Sequence, residues 1–200
     1  MHSLGQRVPD EDQQIGSIAI EDSQLAAAVL AKDRKATAEF VARYADSVYG
    51  YIHARLAPRY DQVEDLVQEV FLSAWENLGR YRGAGPLEAW VMGIARHKIE
   101  DYYRARLRTP ESIDDPDQVP VDPATTSDIH DFLEQSELRK KTWQVLAQLS
   151  DQHRLALIWR YWDRASACEM AQKTGKTEKA IERLLARARE EFRRRWNHGQ

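Results

Sequence analysis

Apolar positions recur every three or four residues along most of this chain, which predicts helices rather than strands. The clearest stripe is Val63, Leu66, Val67, Val70, Phe71, Ala74, Trp75 and Leu78, one face of four turns. Before it, Phe40, Tyr44, Val48 and Ile52 stand about one turn apart and predict a helix over about 37–56, broken at Pro58. Further upstream, Asp22-Ser23 reads as the cap of a short helix holding Leu25, Ala28 and Val29. After the clear stripe, Gly79 and the run RYRGAGP predict a loop. A fourth helix follows over about 87–107 and is expected to bury Trp90, Val91, Ile94 and Ile99.

The periodicity stops between Thr109 and Ser136, a stretch with four prolines, eight carboxylates and no lysine or arginine. Such a segment buries too little apolar surface to fold alone and reads as a flexible linker. Periodicity returns at Leu138, Val145, Leu146 and Leu149. Ser150-Asp151 then caps a helix through Leu155, Ile158 and Trp162. The expected fold class is all-α: two small helical domains over 20–108 and 137–196, joined by an acidic linker over 109–136, with a disordered tail over 1–19.

Composition narrows the function classes. With 42% hydrophobic and 30% charged residues the chain is globular. No apolar run approaches the roughly 18–20 residues of a membrane span, and the N-terminus lacks the apolar core of a secretory signal. No membrane insertion is expected, and the cytoplasm is the expected compartment. Cys168 is the only cysteine, and the six histidines form no HxxxH or HExxH pair, so neither a disulfide framework nor a metal or other cofactor is expected. Cys168 itself is expected to be a small buried residue. The net charge of −3 hides a segregation: residues 137–200 carry 15 basic and 8 acidic side chains, which suits a nucleic-acid binder.

That basic block has the chemistry of a helix-turn-helix. Ser166-Ala-Cys-Glu169 spells a capping box. Gly175 permits the tight turn, Thr177 can cap the next helix, and Ile181, Leu184 and Leu185 fall on one inward face. The outward face carries Lys176, Thr177, Lys179, Arg183 and Arg187, suited to guanine edges and phosphates in a major groove. Glu178 and Glu182 lie near the same face and either accept from a cytosine amine or orient an arginine.

Two features upstream are more particular. Over 61–78 the polar face holds Asp61, Glu64, Asp65, Gln68, Glu69 and Glu76 with no lysine or arginine, and Leu72 falls among them. An exposed leucine ringed by carboxylates suits a basic protein partner. The competing reading, a metal or acid–base cluster at Glu64, Asp65 and Glu69, lacks any accompanying histidine or second cluster. The next helix has the opposite polarity: Arg96, Lys98, Arg104, Arg106 and Arg108 interleave with Trp90, Tyr102 and Tyr103, after a loop with Tyr81, Arg82 and Gly83. Cations beside aromatic faces suit single-stranded DNA, and at least one of Tyr102 and Tyr103 is expected to be exposed.

The runs DQVEDLVQEVFLSAWENLGRYRG and EAWVMGIARHKIEDYYRARLR resemble region 2 of extracytoplasmic-function sigma factors, of the sigma-70 family. LAQLSDQHRLALIWRYW and EMAQKTGKTEKAIERLLARAREEFRR resemble their region 4. The resemblance implies a non-enzymatic initiation factor that directs RNA polymerase to promoters and helps open the minus-ten region. It implies that Asp65, Gln68, Glu69 and Leu72 dock on the clamp coiled coil of the largest polymerase subunit. It assigns minus-ten DNA to Arg82, Gly83, Trp90, Arg96, Lys98, Tyr102, Tyr103 and Arg104, with loop 82–87 capturing a flipped base. Duplex minus-thirty-five DNA falls to Lys176, Thr177, Lys179, Arg183 and Arg187. An anti-sigma factor is admitted as a further partner, and the acidic linker would thread near the polymerase active site. One departure stands out: the turn DRAS before the capping box lacks a glycine that relatives often have. The rival reading is a conventional helix-turn-helix regulator that never binds core polymerase.

Overall fold

The computed structural model describes residues 11–57, 60–108 and 137–198, and the linker expected over 109–136 lies outside them. Among the described residues every regular element is helical. They form α1 (Glu11–Leu30), α2 (Arg34–Leu56), α3 (Val63–Asn77), α4 (Leu87–Arg108), α5 (Glu137–Ala147), α6 (Asp151–Leu157), α7 (Ala167–Thr174) and α8 (Glu178–His198). A 3-10 turn, Leu78–Arg80, follows α3, and a π-helical turn, Ile158–Trp162, extends α6. The first helix begins at Glu11, inside the stretch expected to be a tail.

The described residues fall into two compact units, one within Met1–Ala54 and Asp61–Lys98 and the other within Arg55–Tyr60 and Ile99–Gln200. The last turns of α4, expected to lie wholly in the first domain, are thus counted with the second unit.

In the first unit, α3 buries Val63, Leu66, Val70, Phe71 and Ala74, as its periodicity predicts. Phe71 meets Phe40 of α2 edge-on at 6.0 Å between ring centroids, and Phe40 meets Tyr44 in the same way at 5.3 Å. Phe40 and Val48 are fully buried, and α1 contributes Leu25, Ala26 and Val29. Burying one such large side chain is worth about 1.5–3 kcal/mol, so these rings hold the unit together.

The junction of α1 and α2 is a Schellman turn. Lys32 N–H donates to the Val29 carbonyl at 2.9 Å and Asp33 N–H to the Ala28 carbonyl at 3.1 Å. Lys32 takes φ +62° there, the left-handed region that glycine prefers. Asp33 then caps α2 by accepting from Ala36 N–H at 2.9 Å.

Asp22 does not cap its own helix. It sits in the middle of α1, is 5% exposed, and accepts from the backbone N–H of Leu87 at 2.7 Å, capping α4 across 65 residues of sequence. Its other oxygen accepts from the Tyr44 hydroxyl at 3.4 Å. Burial, and then the Asp22 charge, push the Tyr44 hydroxyl up to about 12.

In the second unit, α5, α6 and α8 and the α5–α6 link share a core of Leu146, Leu149, Leu157 and Ala188, with Trp143 and Phe192 packed on it. Ser150 caps α6 as expected, accepting from His153 N–H. His153 Nδ1 lies 2.5 Å from Glu191 of α8, which also accepts from Arg195 at 2.9 Å. Burial alone would raise the Glu191 carboxyl, but the hydrogen bonds from His153 and Arg195 outweigh it and hold it below the usual range. Trp162, expected to point inward, is 45% exposed, because the π-helical turn rotates it out of the α6 stripe.

Lys32→Gly relieves a left-handed lysine and is expected to raise stability by about 1 kcal/mol, read by urea denaturation. A group whose pKa is raised by folding contributes stability below its unfolded value and loses it as pH climbs through its folded value. Stability is therefore expected to fall as pH rises from 10 towards 12, and Tyr44→Phe should flatten that fall in thermal melts across this range.

Candidate nucleic-acid and partner interfaces

The acidic face of α3 is a surface. Asp65, Gln68 and Glu69 are exposed, and Leu72 is 54% exposed among them while its helix neighbours Phe71 and Ala74 are buried. Sequence periodicity placed Trp75 inside, but it is 37% exposed. It stands three residues after Leu72, on the same side of the helix, and enlarges the apolar centre of this face. The signal that could have found it is its place at the margin of an already wide stripe. Glu69 accepts from Lys98 of α4 at 3.1 Å, which joins a residue of the partner face to one of the nucleic-acid set. Exposed pairs of this kind contribute at most about 1 kcal/mol and exchange readily for a new partner.

Loop 81–87 is held from three sides. The Tyr81 hydroxyl donates to the Gly85 carbonyl at 2.7 Å, and its ring leans on Trp90 at 6.0 Å. Burial and the Asp22 charge raise the Tyr81 hydroxyl. Gly83 takes φ +69°, and a Cβ there would meet Ser23 Oγ of α1 at 3.3 Å. Asp22 holds the far end at Leu87. Arg82 is exposed, Gly83 and Trp90 are half-buried, and Arg96 projects outward two turns further on.

The second half of α4 departs from expectation. Neither tyrosine is exposed: Tyr102 is half-buried, with the Arg106 guanidinium 5.5 Å from its ring, and Tyr103 is fully buried against Trp159 at 5.5 Å. A buried ring has no face to offer a base, so Tyr103 leaves the nucleic-acid set. Arg104 is half-buried and paired with Asp101 on its own helix.

The helix-turn-helix follows its sequence closely. Ser166 and Glu169 form the capping box, with Ser166 Oγ accepting from Glu169 N–H and Glu169 accepting from Ser166 N–H at 2.7 Å. The backbone and side-chain hydrogen bonds from Ser166 hold the Glu169 carboxyl below its ordinary value. Gly175 ends α7 at φ +71°, and Thr177 Oγ1 accepts from Ala180 N–H at 3.2 Å to cap α8. Ile181, Leu184, Leu185 and Ala188 are buried. Thr177, Lys179, Arg183 and Arg187 are exposed on the opposite side and Lys176 is half-buried beside them. The last three cations of the face are spaced i, i+4, i+8, one line along the helix. In the DRAS turn before the capping box, Arg164 takes φ +59°, a left-handed geometry reached without a glycine. Cys168, expected inside, is exposed in the first turn of α7, with Gln172 Nε2 3.5 Å from its sulfur.

Among the described residues no group of three or more histidine, cysteine, aspartate or glutamate side chains is placed to hold a metal ion. No described helix is long and apolar enough to cross a membrane.

Comparison with known proteins finds two family models in the order of these surfaces: sigma-70 region 2 over residues 40–109 and sigma-70 region 4 over residues 139–192. The ECF RNA polymerase sigma factor ShbA of Streptomyces griseus is 34% identical over 133 residues, which are 64% of this chain and 70% of that one. The RNA polymerase sigma factor YlaC of Bacillus subtilis is 24% identical over 175 residues, 82% of this chain and 93% of its own. Among solved structures, the sigma factor RpoE in complex with the anti-sigma factor NepR from Bartonella quintana aligns at 21% identity with a TM-score of 0.42. That alignment covers 80% of this chain and 95% of the other.

Proposed function

This chain belongs to the sigma-70 family, as an RNA polymerase sigma factor of the extracytoplasmic-function class, and from that membership we propose how its surfaces divide the work of initiation. As a sigma factor it is a DNA-binding transcription initiation factor that directs core polymerase to specific promoters and helps open the minus-ten region.

Residues 20–108 act as region 2. The α3 face built on Asp65, Gln68, Glu69 and Leu72 docks on the clamp coiled coil of the largest polymerase subunit, with Trp75 at its margin. The observation that carries this reading is the exposed Leu72 on a helix that bears four carboxylates and no lysine or arginine. An apolar centre with an acidic rim supplies both desolvated contact and steering towards a basic partner. A conventional helix-turn-helix regulator has no use for such a face, which is why that rival is set aside.

Loop 82–87 captures a flipped base of the minus-ten element. Extraction costs a few kcal/mol, offset by aromatic and polar contacts in a pocket. Arg82 opens the loop and Trp90 stands one helical turn beyond it, and the loop's carbonyl and amide groups supply the polar contacts. Arg96, Lys98, Tyr102 and Arg104 then follow the opened strand, with Lys98 exchanging Glu69 for phosphate. Residues 137–196 act as region 4, laying the N-terminal turns of α8 in the major groove of the minus-thirty-five duplex. Lys179 and Arg183 reach bases, while Lys176, Thr177 and Arg187 hold phosphates. No step in this scheme requires a catalytic residue. The acidic linker serves as a tether along the polymerase, an anti-sigma factor is a partner on the family resemblance alone, and the cytoplasm is the site of action.

Run-off transcription with core polymerase on a promoter library tests the whole scheme. Glu69→Ala combined with Leu72→Ala is expected to abolish core binding in co-purification while leaving affinity for minus-thirty-five duplex unchanged. Retained core binding would move the docking face elsewhere. Arg183→Ala is expected to weaken duplex binding by about 1–3 kcal/mol and to relax preference at one promoter position. A uniform loss across sequences would make it a phosphate contact instead.

A further inference from the structure

We infer that Asp22 of α1, together with Ser23, is the positioning residue of the base-capturing loop, holding its backbone in the shape that distinguishes one base from another. The inference rests on the reading that loop 82–87 captures a minus-ten base.

Loop 82–87, RGAGPL, has little side-chain chemistry for reading a base, so discrimination falls largely on where its backbone groups point. Backbone groups discriminate only when the chain carrying them is held to a fraction of an ångström, and that demands support from a rigid element. Local bonds tie Tyr81 to Gly85 and the Pro86 carbonyl to Trp90 N–H at 3.3 Å. Further support comes from α1. Asp22 Oδ2 accepts from Leu87 N–H at 2.7 Å, at the point where the loop becomes helix. This is a charge-assisted bond to a backbone amide, stronger than a neutral one. Ser23, the next residue, lies under Gly83, where an added Cβ would meet its Oγ at 3.3 Å. Adjacent residues of one helix thus lie close beneath the loop near its beginning and bond it at its end.

The carboxylate is itself fixed. It is 5% exposed, its second oxygen accepts from Tyr44 of α2, and Arg43 lies 3.8 Å away. A solvated aspartate could cap α4 equally well as far as helix stability is concerned. A buried one, tied to a second helix, transmits the position of the α1–α2 pair to the loop.

A purely structural role predicts that Asp22 substitutions act in proportion to lost stability. A positioning role predicts loss of discrimination at one base. The test uses the full-length chain assembled with core polymerase on promoters bearing each of the four bases at the captured minus-ten position, reading open-complex formation. Asp22→Ala is expected to reduce discrimination at that position about tenfold, the scale of one lost charge-assisted hydrogen bond, with core binding and minus-thirty-five affinity unchanged. Asp22→Asn keeps an acceptor oxygen and should retain most of the discrimination. Val29→Ala, in the buried face of the same helix but away from the loop, supplies a matched loss of stability and should leave discrimination intact.

Equal relaxation by Val29→Ala and Asp22→Ala would overturn the inference, as would full discrimination in Asp22→Ala. Gly83→Ala separates this failure from failure of the underlying reading, because it strains the loop directly at φ +69°. If Gly83→Ala relaxes discrimination and Asp22→Ala does not, only the positioning role falls. If Gly83→Ala and Arg82→Ala both leave discrimination unchanged, the loop is not the capture site and the inference falls with that reading.

Discussion

The packing of α3 on α2 through Phe71 and Phe40 is the constraint from which the surfaces of the first unit follow. A helix with one apolar stripe has one way to bury it. Once Val63, Leu66, Val70, Phe71 and Ala74 are buried, the carboxylates and Leu72 must face outward. The same rotation brings Leu78 into the core, so the chain leaves α3 at a defined point and loop 81–87 begins from a fixed position. The outward acidic face around Leu72 and the starting point of loop 81–87 are therefore two consequences of a single packing decision.

Electrostatics is organised by element rather than by domain average. α3 is acidic, the first half of α4 carries Arg96 and Lys98, and α8 carries a line of exposed cations over a buried apolar face. The Lys98–Glu69 pair ties acidic and basic elements together in the isolated protein. An exposed ion pair of this kind is weak enough to release either residue to another partner. Multiply bonded groups behave differently. Part-buried Glu191 between His153 and Arg195, and buried Asp22 between Leu87 and Tyr44, are held in place by several partners and act as structure.

Glycine use shows how geometry can persist without its preferred residue. Gly83 and Gly175 occupy left-handed positions, but so do Lys32 and Arg164. The Lys32 turn is closed by two backbone hydrogen bonds, and Arg164 lies between α6 and the capping box of α7. Neighbouring elements on both sides define these turns, and the backbone cost of a side chain at positive φ is smaller than the packing that would be lost by opening them.

By itself the sequence determined the helices after α1, the acidic face around Leu72, the capping box at Ser166, the Gly175 turn, the Thr177 cap and the cationic line on α8. In each case the groups that interact lie within one or two turns of each other, so spacing alone reports them. Tertiary structure decided the rest. Asp22 reads locally as the cap of its own helix, yet its partner is 65 residues away, and no local pattern encodes that choice. Tyr103 has the composition of a nucleic-acid contact and is buried because Trp159 covers it. Cys168 and Trp75 have the composition of core residues and are exposed because no described element covers them. Periodicity states which side of a helix is apolar; what lies against that side, and where its margin falls, depends on the neighbouring helices that supply the other half of each contact.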